Sequence, residues 1–274
     1  MKQIDMTEYT VTSGKFPKDF GGFTFAMLSD LHSNVYHIDL HQLNAMIRDA
    51  APDAVLIVGD MINDSRRDNI LDVTNYLITL ASKYPTFYAL GNHEYNLLRN
   101  AAYYGHRFES FRQVLCEAGV TFLQDETVYL DKDEVRLALS GVMIDSIFYQ
   151  ANPPIMGPGL MDKHLGICNT SYFNLLLAHH PIYFDRYAEW GADLTLSGHQ
   201  HGGIIRTKRG GMISTTGQLF PYFDEGMYES EDHRTMILGR GLGTHTVKIR
   251  INNHPELVIV KLKPEEEQDN NYGN

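Results

Sequence analysis

The sequence predicts an α/β protein in which a β-sheet is covered by helices. Three observations carry that reading. Short apolar runs alternate with segments of helical period from Phe23 to Leu123, a βαβαβαβ order. At 43% hydrophobic and 21% charged residues, the composition is that of an ordinary globular protein. With 274 residues the chain can bury roughly three quarters of its unfolded surface, so neither disulfide nor metal is needed merely to fold.

Phe23 to Leu28 is a short apolar run and reads as a buried strand. From His37 to Ala50, Ile38, Leu40, Leu43, Met46 and Ile47 recur at helical spacing, and Pro52 marks the end. Ala54 to Val58 is the next strand. Asp68 to Lys83 is helical, with Ile70, Leu71, Val73, Leu77 and Leu80 on one side. Thr86 to Leu90 is a strand, Arg107 to Ala118 a helix and Val120 to Leu123 a strand. Thr127 to Leu130 and Val135 to Val142 flank Asp131–Glu134 and predict a hairpin. Asp145 to Ser171, rich in proline and glycine, reads as a long surface excursion of the kind that often carries function. Strands resume at Asn174–Ala178 and Asp193–Ser197 with a short helix between. Ile204–Arg206 and Met212–Thr215 make a hairpin around Lys208 to Gly211, and Val247–Ile251 and Glu256–Leu262 close the fold. We expect a single domain over residues 1–264 and a frayed polar tail over 265–274.

Lys and Arg total 23 against 34 Asp and Glu, a net charge of -11. Such a surface repels phosphate backbones, so broad nucleic-acid binding is disfavoured, while a small phosphorylated substrate held by metal is not. Two cysteines, Cys116 and Cys168, make no disulfide framework and suit a reducing compartment. No apolar run approaches the ~20 residues of a transmembrane helix. Met1 to Lys18 has no apolar core of a secretory signal. A cytoplasmic location follows as the expectation, with peripheral attachment at a membrane left open.

Five segments place metal-competent side chains just past a predicted strand, where α/β folds gather their sites. They are Ser29 to His32, Gly59 to Asp64, Gly91 to Glu94, Ala178 to Pro181 and Ser197 to His201. Asp30 and His32 are two apart, so on an extended segment both point the same way, and His199 and His201 repeat that spacing. Gly59, Gly91 and Gly198 let the backbone turn close to a centre. Singly, each segment has an ordinary reading as a polar loop; jointly, in this order, they specify a site.

Taken together, the blocks D-x-H (Asp30, His32), G-D (Gly59, Asp60), G-N-H-[ED] (Gly91 to Glu94), H (His179) and G-H-x-H (Gly198 to His201) resemble the signature of the calcineurin-like metallophosphoesterases. The resemblance implies a four-layer α/β/β/α sandwich of two mixed sheets flanked by helices. It implies two divalent or trivalent transition-metal ions. Asp30, His32, Asp60 and His201 would hold one, and Asp60, Asn92, His179 and His199 the other, with Asp60 bridging. Mixed nitrogen and oxygen ligands suit Mn, Fe, Zn, Co or Ni rather than Ca. The implied reaction is phosphoester hydrolysis by in-line attack of a metal-bridging hydroxide. His93 would protonate the leaving oxygen or stabilise transition-state charge. Many relatives orient this histidine with an Asp three residues after the bridging Asp. Here Asn63 stands there and Asp64 follows, so either Asp64 or Asn63 is its partner. His179 is preferred over His180 because the family's ligand stands two before the proline.

Gly239–Gly243, the stretch from Ile249 to Asn252, and Pro255–Leu257 resemble a narrower bacterial branch, the UDP-2,3-diacylglucosamine pyrophosphatase-like phosphoesterases. Many of its members carry an N-terminal membrane anchor, and none is read in this sequence. That branch points to a phosphodiester or pyrophosphate substrate. The glycines at 239, 241 and 243 read as permitting a tight chain path beside the metals. Tyr95, Tyr103, Tyr104, Tyr149, Phe220, Tyr222 and Phe223 are candidate cleft aromatics, weighed against ordinary packing. Arg99, Lys208 and Arg209 are candidate phosphate contacts by charge alone, and His245 reads as structural. Three alternatives stand beside the hydrolase: a nuclease of the same superfamily, a non-catalytic metal-binding scaffold, and a peripheral membrane hydrolase of a lipid-linked diphosphate. Exposed apolar residues near Met156 to Met161 would favour the last.

Overall fold

The computed structural model describes residues 3–203, 205–207, 210–213, 219–244 and 250–266. Among them the chain runs β1 (Asp5–Ser13), β2 (Phe23–Leu28), α1 (Leu40–Ala50), β3 (Ala54–Val58), α2 (Ile70–Ala81), β4 (Thr86–Ala89), α3 (Asn92–Arg99), α4 (Ala101–Tyr104), α5 (Arg107–Glu117) and β5 (Val120–Leu123). It continues through β6 (Glu126–Lys132), β7 (Val135–Gly141), a 3-10 turn (Ser146–Tyr149), α6 (Leu160–Leu165), β8 (Phe173–Leu177), a second 3-10 turn (Pro181–Tyr183), α7 (Phe184–Trp190) and β9 (Leu194–Ser197). The last elements are β10 (Ile205–Thr207), β11 (Gly210–Ile213), β12 (Gly226–Glu229), β13 (Thr235–Leu238) and β14 (Glu256–Pro264).

Two mixed sheets result. One has the order β1-β14-β2-β3-β4-β5 and the other β12-β13-β9-β8-β7-β6. Strands β2 to β5 are mutually parallel, as are β13, β9, β8 and β7. Strand β14 joins the first sheet antiparallel to β2, and β12 and β6 are antiparallel edges of the second. β3 is buried along its whole length because both its faces are covered. One face meets the layer between the sheets, where Phe25, Leu56 and Val58 pack on Leu137, Leu175, Leu177 and Leu196. The other face meets the helices, where Val55 and Ile57 pack with Leu43, Ile47, Val73, Leu77 and Phe111. Beyond the second sheet, Met161 of α6 and Tyr187 of α7 close over Leu176 and Ala178. The four-layer sandwich is therefore the fold.

Helix ends follow local chemistry. Asp39 caps α1 by accepting the Gln42 N–H at 3.0 Å, and Asn69 caps α2 by accepting from Leu71 at 3.3 Å. The periodicity runs slightly past these caps, so the expected helices at 37–50 and 68–83 begin later, at Leu40 and Ile70.

Four expectations change. β1 lies outside the expected elements, yet it pairs parallel with β14 over its full length. It is an edge strand with only Val11 buried, so it shows no apolar run. Thr235–Leu238, also outside them, forms β13 between β12 and β9. The expected excursion from 145 to 171 is partly packed. Met156 and Met161 are buried at 1% and 4% exposure, and Ile155, at 89%, is the neighbour that faces outward. The expected hairpin shifts to Ile205–Thr207 and Gly210–Ile213. Lys208, Arg209 and His245 lie outside the described residues, as does most of the strand expected at 247–251. No helix among the described residues is long and apolar enough to cross a membrane.

Phe25 is fully buried between the sheets and stacks on Phe23 with centroids 5.6 Å apart. We expect Phe25→Ala to lower stability by about 3–5 kcal/mol in urea denaturation. A loss under about 1 kcal/mol would contradict this packing.

Candidate metal centre

Because the central strands of each sheet are parallel, their C-terminal ends can be loaded with polar side chains without disturbing the core between them. Asp30 and His32 follow β2, Asp60 follows β3, and Asn92 and His93 open α3 after β4. His179 follows β8, and His199 and His201 follow β9. The structure brings all of these to one place. Asp30, His32 and His201 offer ligand atoms within 4.8 Å of one another, as do Asp60, His179 and His199, and also His32, Asp60 and His93.

The backbone there is unusual. Asp30, His32, Asp60, His199 and His201 have φ of 52°, 48°, 54°, 72° and 52°. Left-handed backbone at non-glycine residues costs of order 1–3 kcal/mol each and persists where surroundings impose it. The two-apart pairs therefore converge through tight left-handed turns, not on extended segments as the spacing alone suggested. Close approach also needs glycine. A Cβ at Gly91 would overlap the Asp60 carboxylate, and one at Gly241 (φ 67°) would fall 2.5 Å from Asp30 Cβ. The chain path through residues 239–243 does run beside the site, as Leu242 N–H donates to Ser29 O at 3.0 Å.

The ring nitrogens are sorted by their partners. His179 Nδ1–H donates to Val58 O at 2.6 Å, which turns the Nε2 lone pair inward. His32 Nδ1 lies 3.0 Å from Asn63 Oδ1. The Asn63 amide nitrogen donates to His32 O at 2.9 Å and to Asp68 Oδ1 at 3.2 Å, so its oxygen is the acceptor and His32 also turns Nε2 inward. His32 Nε2 and His201 Nε2 are 3.1 Å apart, and His201 Nε2 is 3.4 Å from Asp30 Oδ1. Asp60 Oδ2 lies 3.0 Å from His179 Nε2 and 4.0 Å from His32 Nε2, between the two groups.

These donor atoms fit cations. Asn92 Oδ1 is buried with no hydrogen-bond partner, and His179 Nε2 faces Asp60 Oδ2 at 3.0 Å. Buried polar atoms are almost always paired, so the unpaired oxygen of Asn92, next in the chain to His93, fits a ligand there.

The question of the His93 partner resolves in geometry. Asp64 Oδ1 is 2.5 Å from His93 Nδ1, and Asn96 Nδ2 steadies the other Asp64 oxygen at 2.8 Å. Asn63 serves His32 instead. His93 Nε2 faces the centre, 3.9 Å from Asp60 Oδ2. His180 belongs to none of these ligand groups. It stacks on Tyr149 with centroids 4.8 Å apart and lies 4.5 Å from the His199 ring. Of the candidate aromatics, Tyr149 touches the site, whereas Tyr95 is held by Asp145 at 2.8 Å and covered by Arg99 at 5.3 Å. Tyr103, Phe220 and Tyr222 are exposed.

Glu94 carries a role the sequence reading did not assign. Its buried carboxylate accepts the N–H groups of Asp60 at 2.9 Å, Met61 at 2.8 Å, Ile62 at 3.3 Å and Gly91 at 3.1 Å, and the Tyr88 hydroxyl at 2.7 Å. It thereby caps α3 and holds the Asp60 loop. An acidic residue three after a glycine that opens a helix is the signal that could have found it.

Charge balances the site. Burial opposes ionisation of Asp60, but the His179 and His93 charges hold its carboxyl well below the usual range. Burial pushes Asp30 up to about 6. Burial works against the His93 imidazolium, yet the Asp60 charge and the Asp64 hydrogen bond raise it to about 9. His179 rises to about 10 against burial, through Asp60 and Asp30, while burial and the His179 charge drop His199 to about 3. In metal-stripped protein, a raised histidine stabilises the fold fully below its unfolded value near 6.5 and loses that contribution as pH rises through its folded value. We therefore expect the Tm of chelator-treated protein to fall between pH 6.5 and about 10. The fall near pH 9 should shrink in His93→Gln, and a flat or rising Tm over this window would contradict the assignment.

The family model for calcineurin-like phosphoesterases matches residues 23–203, well over half of the chain. YkuE, an uncharacterized metallophosphoesterase of Bacillus subtilis (strain 168), is 27% identical over 270 residues, covering 95% of this chain and 86% of that protein. A transmembrane protein with a metallophosphoesterase domain from Danio rerio is 26% identical over 257 residues, covering 91% of this chain and 55% of that protein. The chain thus spans about half the length of that longer relative. Among solved structures, TT1561 of Thermus thermophilus matches with a TM-score of 0.47 and 12% identity over 80% of this chain and 90% of that one. On the match to residues 23–203, this chain belongs to the calcineurin-like phosphoesterases.

Proposed function

We propose that this protein hydrolyses a phosphodiester or pyrophosphate bond in a small substrate, using two transition-metal ions. Asp30, His32, Asp60 and His201 would hold the first ion, and Asp60, Asn92, His179 and His199 the second. The observation that carries the reading is the position of Asp60. Its Oδ2 lies between the inward Nε2 atoms of His179 and His32, at 3.0 and 4.0 Å, and one carboxylate has the two oxygens a bridge needs. Imidazole with carboxylate and amide oxygen suits Mn, Fe, Zn, Co or Ni. When bound, two such ions lower the pKa of water and neutralise charge on the phosphoryl oxygens.

The chain's own residues do the rest. Asp64 fixes the His93 ring by Nδ1, so Nε2 is the atom presented to the centre. The Asp64 hydrogen bond to Nδ1 favours the protonated ring, which would let His93 pass a proton to a departing oxygen. Asn63 and Val58 O fix the rings of His32 and His179 in the same manner. The preference for a diester or pyrophosphate over a monoester rests on the C-terminal sequence pattern from Gly239 to Leu257. The acidic balance, 34 acidic against 23 basic residues, supports a small substrate over nucleic acid.

Metal-stripped protein given back Mn, Co, Ni, Zn or Fe should hydrolyse bis-p-nitrophenyl phosphate faster than p-nitrophenyl phosphate. Asp60→Ala should lose both turnover and bound metal. His93→Ala should keep its metal and slow by about 10²–10⁴-fold. Metal-independent turnover, or full activity in Asp60→Ala, would overturn the proposal. Loss of metal from His93→Ala would make it a ligand instead.

A further inference from the structure

We infer that Arg250 and Asn253 are positioning residues for the first ion, clamping His201 and the glycine stretch 239–243 onto Asp30; this rests on the two-ion reading above. All seven candidate ligands lie within residues 23–203, the part matched by the family model, whereas the clamp comes from beyond it. The stretch after β13 lies directly on the Asp30 backbone. Leu242 N–H donates to Ser29 O at 3.0 Å and Gly243 N–H to Asp30 O at 2.6 Å. Gly241 fits against the Asp30 side chain only because it has no Cβ.

Arg250 braces this stretch beside His201. Its Nη2 donates to Arg240 O at 2.9 Å and to Gly243 O, and lies 3.2 Å from His201 Nδ1. No carboxylate pairs with Arg250 among the described residues, and its Nε and Nη1 are buried without partners. The guanidinium is therefore committed through one nitrogen to the junction of two loops, a costly placement for a charged group unless that junction matters. Asn253, at 2% exposure, grips the other side of the same ligand. Its Nδ2 donates to His201 O at 2.7 Å and to Gly203 O at 2.6 Å. His201 is thus held at its carbonyl by Asn253, which fits its left-handed backbone at φ 52°.

These bonds fall on the His201 loop and on the glycine stretch that packs against Asp30. Of the second ion's ligands, His179 is positioned by Val58 O and Asn92 by its place at the start of α3, while His199 shares the His201 loop but has its N–H held by the Asp30 carboxylate at 3.0 Å. The clamp should therefore act chiefly on the first ion. Removal of partners that orient a ligand weakens metal binding by about 10–100-fold.

The test is a manganese titration of metal-stripped full-length protein, reading bound equivalents and affinities by calorimetry and elemental analysis. Wild type should bind two equivalents. Arg250→Met and Asn253→Ala should each bind one equivalent as wild type does and lose about 10–100-fold in affinity for the other. Arg250→Lys, which keeps one donor to the carbonyls, should recover part of the loss and remains informative if the methionine variant fails to fold. Two unchanged equivalents in Arg250→Lys and Asn253→Ala, or equal weakening of both equivalents, would overturn the clamp. Fewer than two equivalents in wild type would instead overturn the two-ion reading on which it rests.

Discussion

The Asp60 carboxylate is buried at 1% exposure among imidazoles and other carboxylates, and the surrounding architecture answers the cost of keeping it there. Removing an ion of this kind from water costs several kcal/mol unless charge and hydrogen bonds replace the solvent. His93 N–H bonds Oδ1 at 2.9 Å, and His179 faces Oδ2 at 3.0 Å. Beneath the loop, Glu94 takes the Asp60 N–H and those of its neighbours. It is itself a buried carboxylate, pushed up to about 7 by burial and by the Asp60 charge, and its five donors counter that push. Two acids so close are tolerated because the histidines supply positive charge; bound cations would take over from their protons, which is the usual linkage of metal affinity to pH.

The same constraint explains the strained backbone. Asp30, Asp60 and His201 must present short side chains to one centre from loops on two sheets. A left-handed turn immediately after a strand achieves this, and the rigid strands on either side hold it. Parallel pairing around β3 and β8 supplies those strands with their C-terminal ends together.

Much of this was legible in the sequence because it is local. A polar pair directly after an apolar run shows a strand end with something to hold, and five such blocks in order left little freedom. The alternation from Phe23 to Leu123 likewise exposed the first sheet and its helices. What stayed hidden depends on distant partners. β1 has β-branched and aromatic residues but buries only Val11, and its identity as a strand comes from pairing with β14 at the far end of the chain. The division of labour between Asn63 and Asp64 is one of side-chain direction, which spacing alone does not fix. Arg250 looked like part of an ordinary closing strand and Asn253 fell between two of them, and their contacts to His201 cross about 50 residues of chain. Glu94 was visible within its block, but its role appears only once Asp60 is folded over it.

The central claim is that Asp60 stands between two metal ions. A crystal of the manganese-loaded protein, measured at the manganese absorption edge, tests it most directly. The account predicts two anomalous peaks about 3.5–4 Å apart, one beside Asp30 and His201, the other beside Asn92 and His179, with Asp60 touching both. A single peak, or a pair that Asp60 does not bridge, would contradict it.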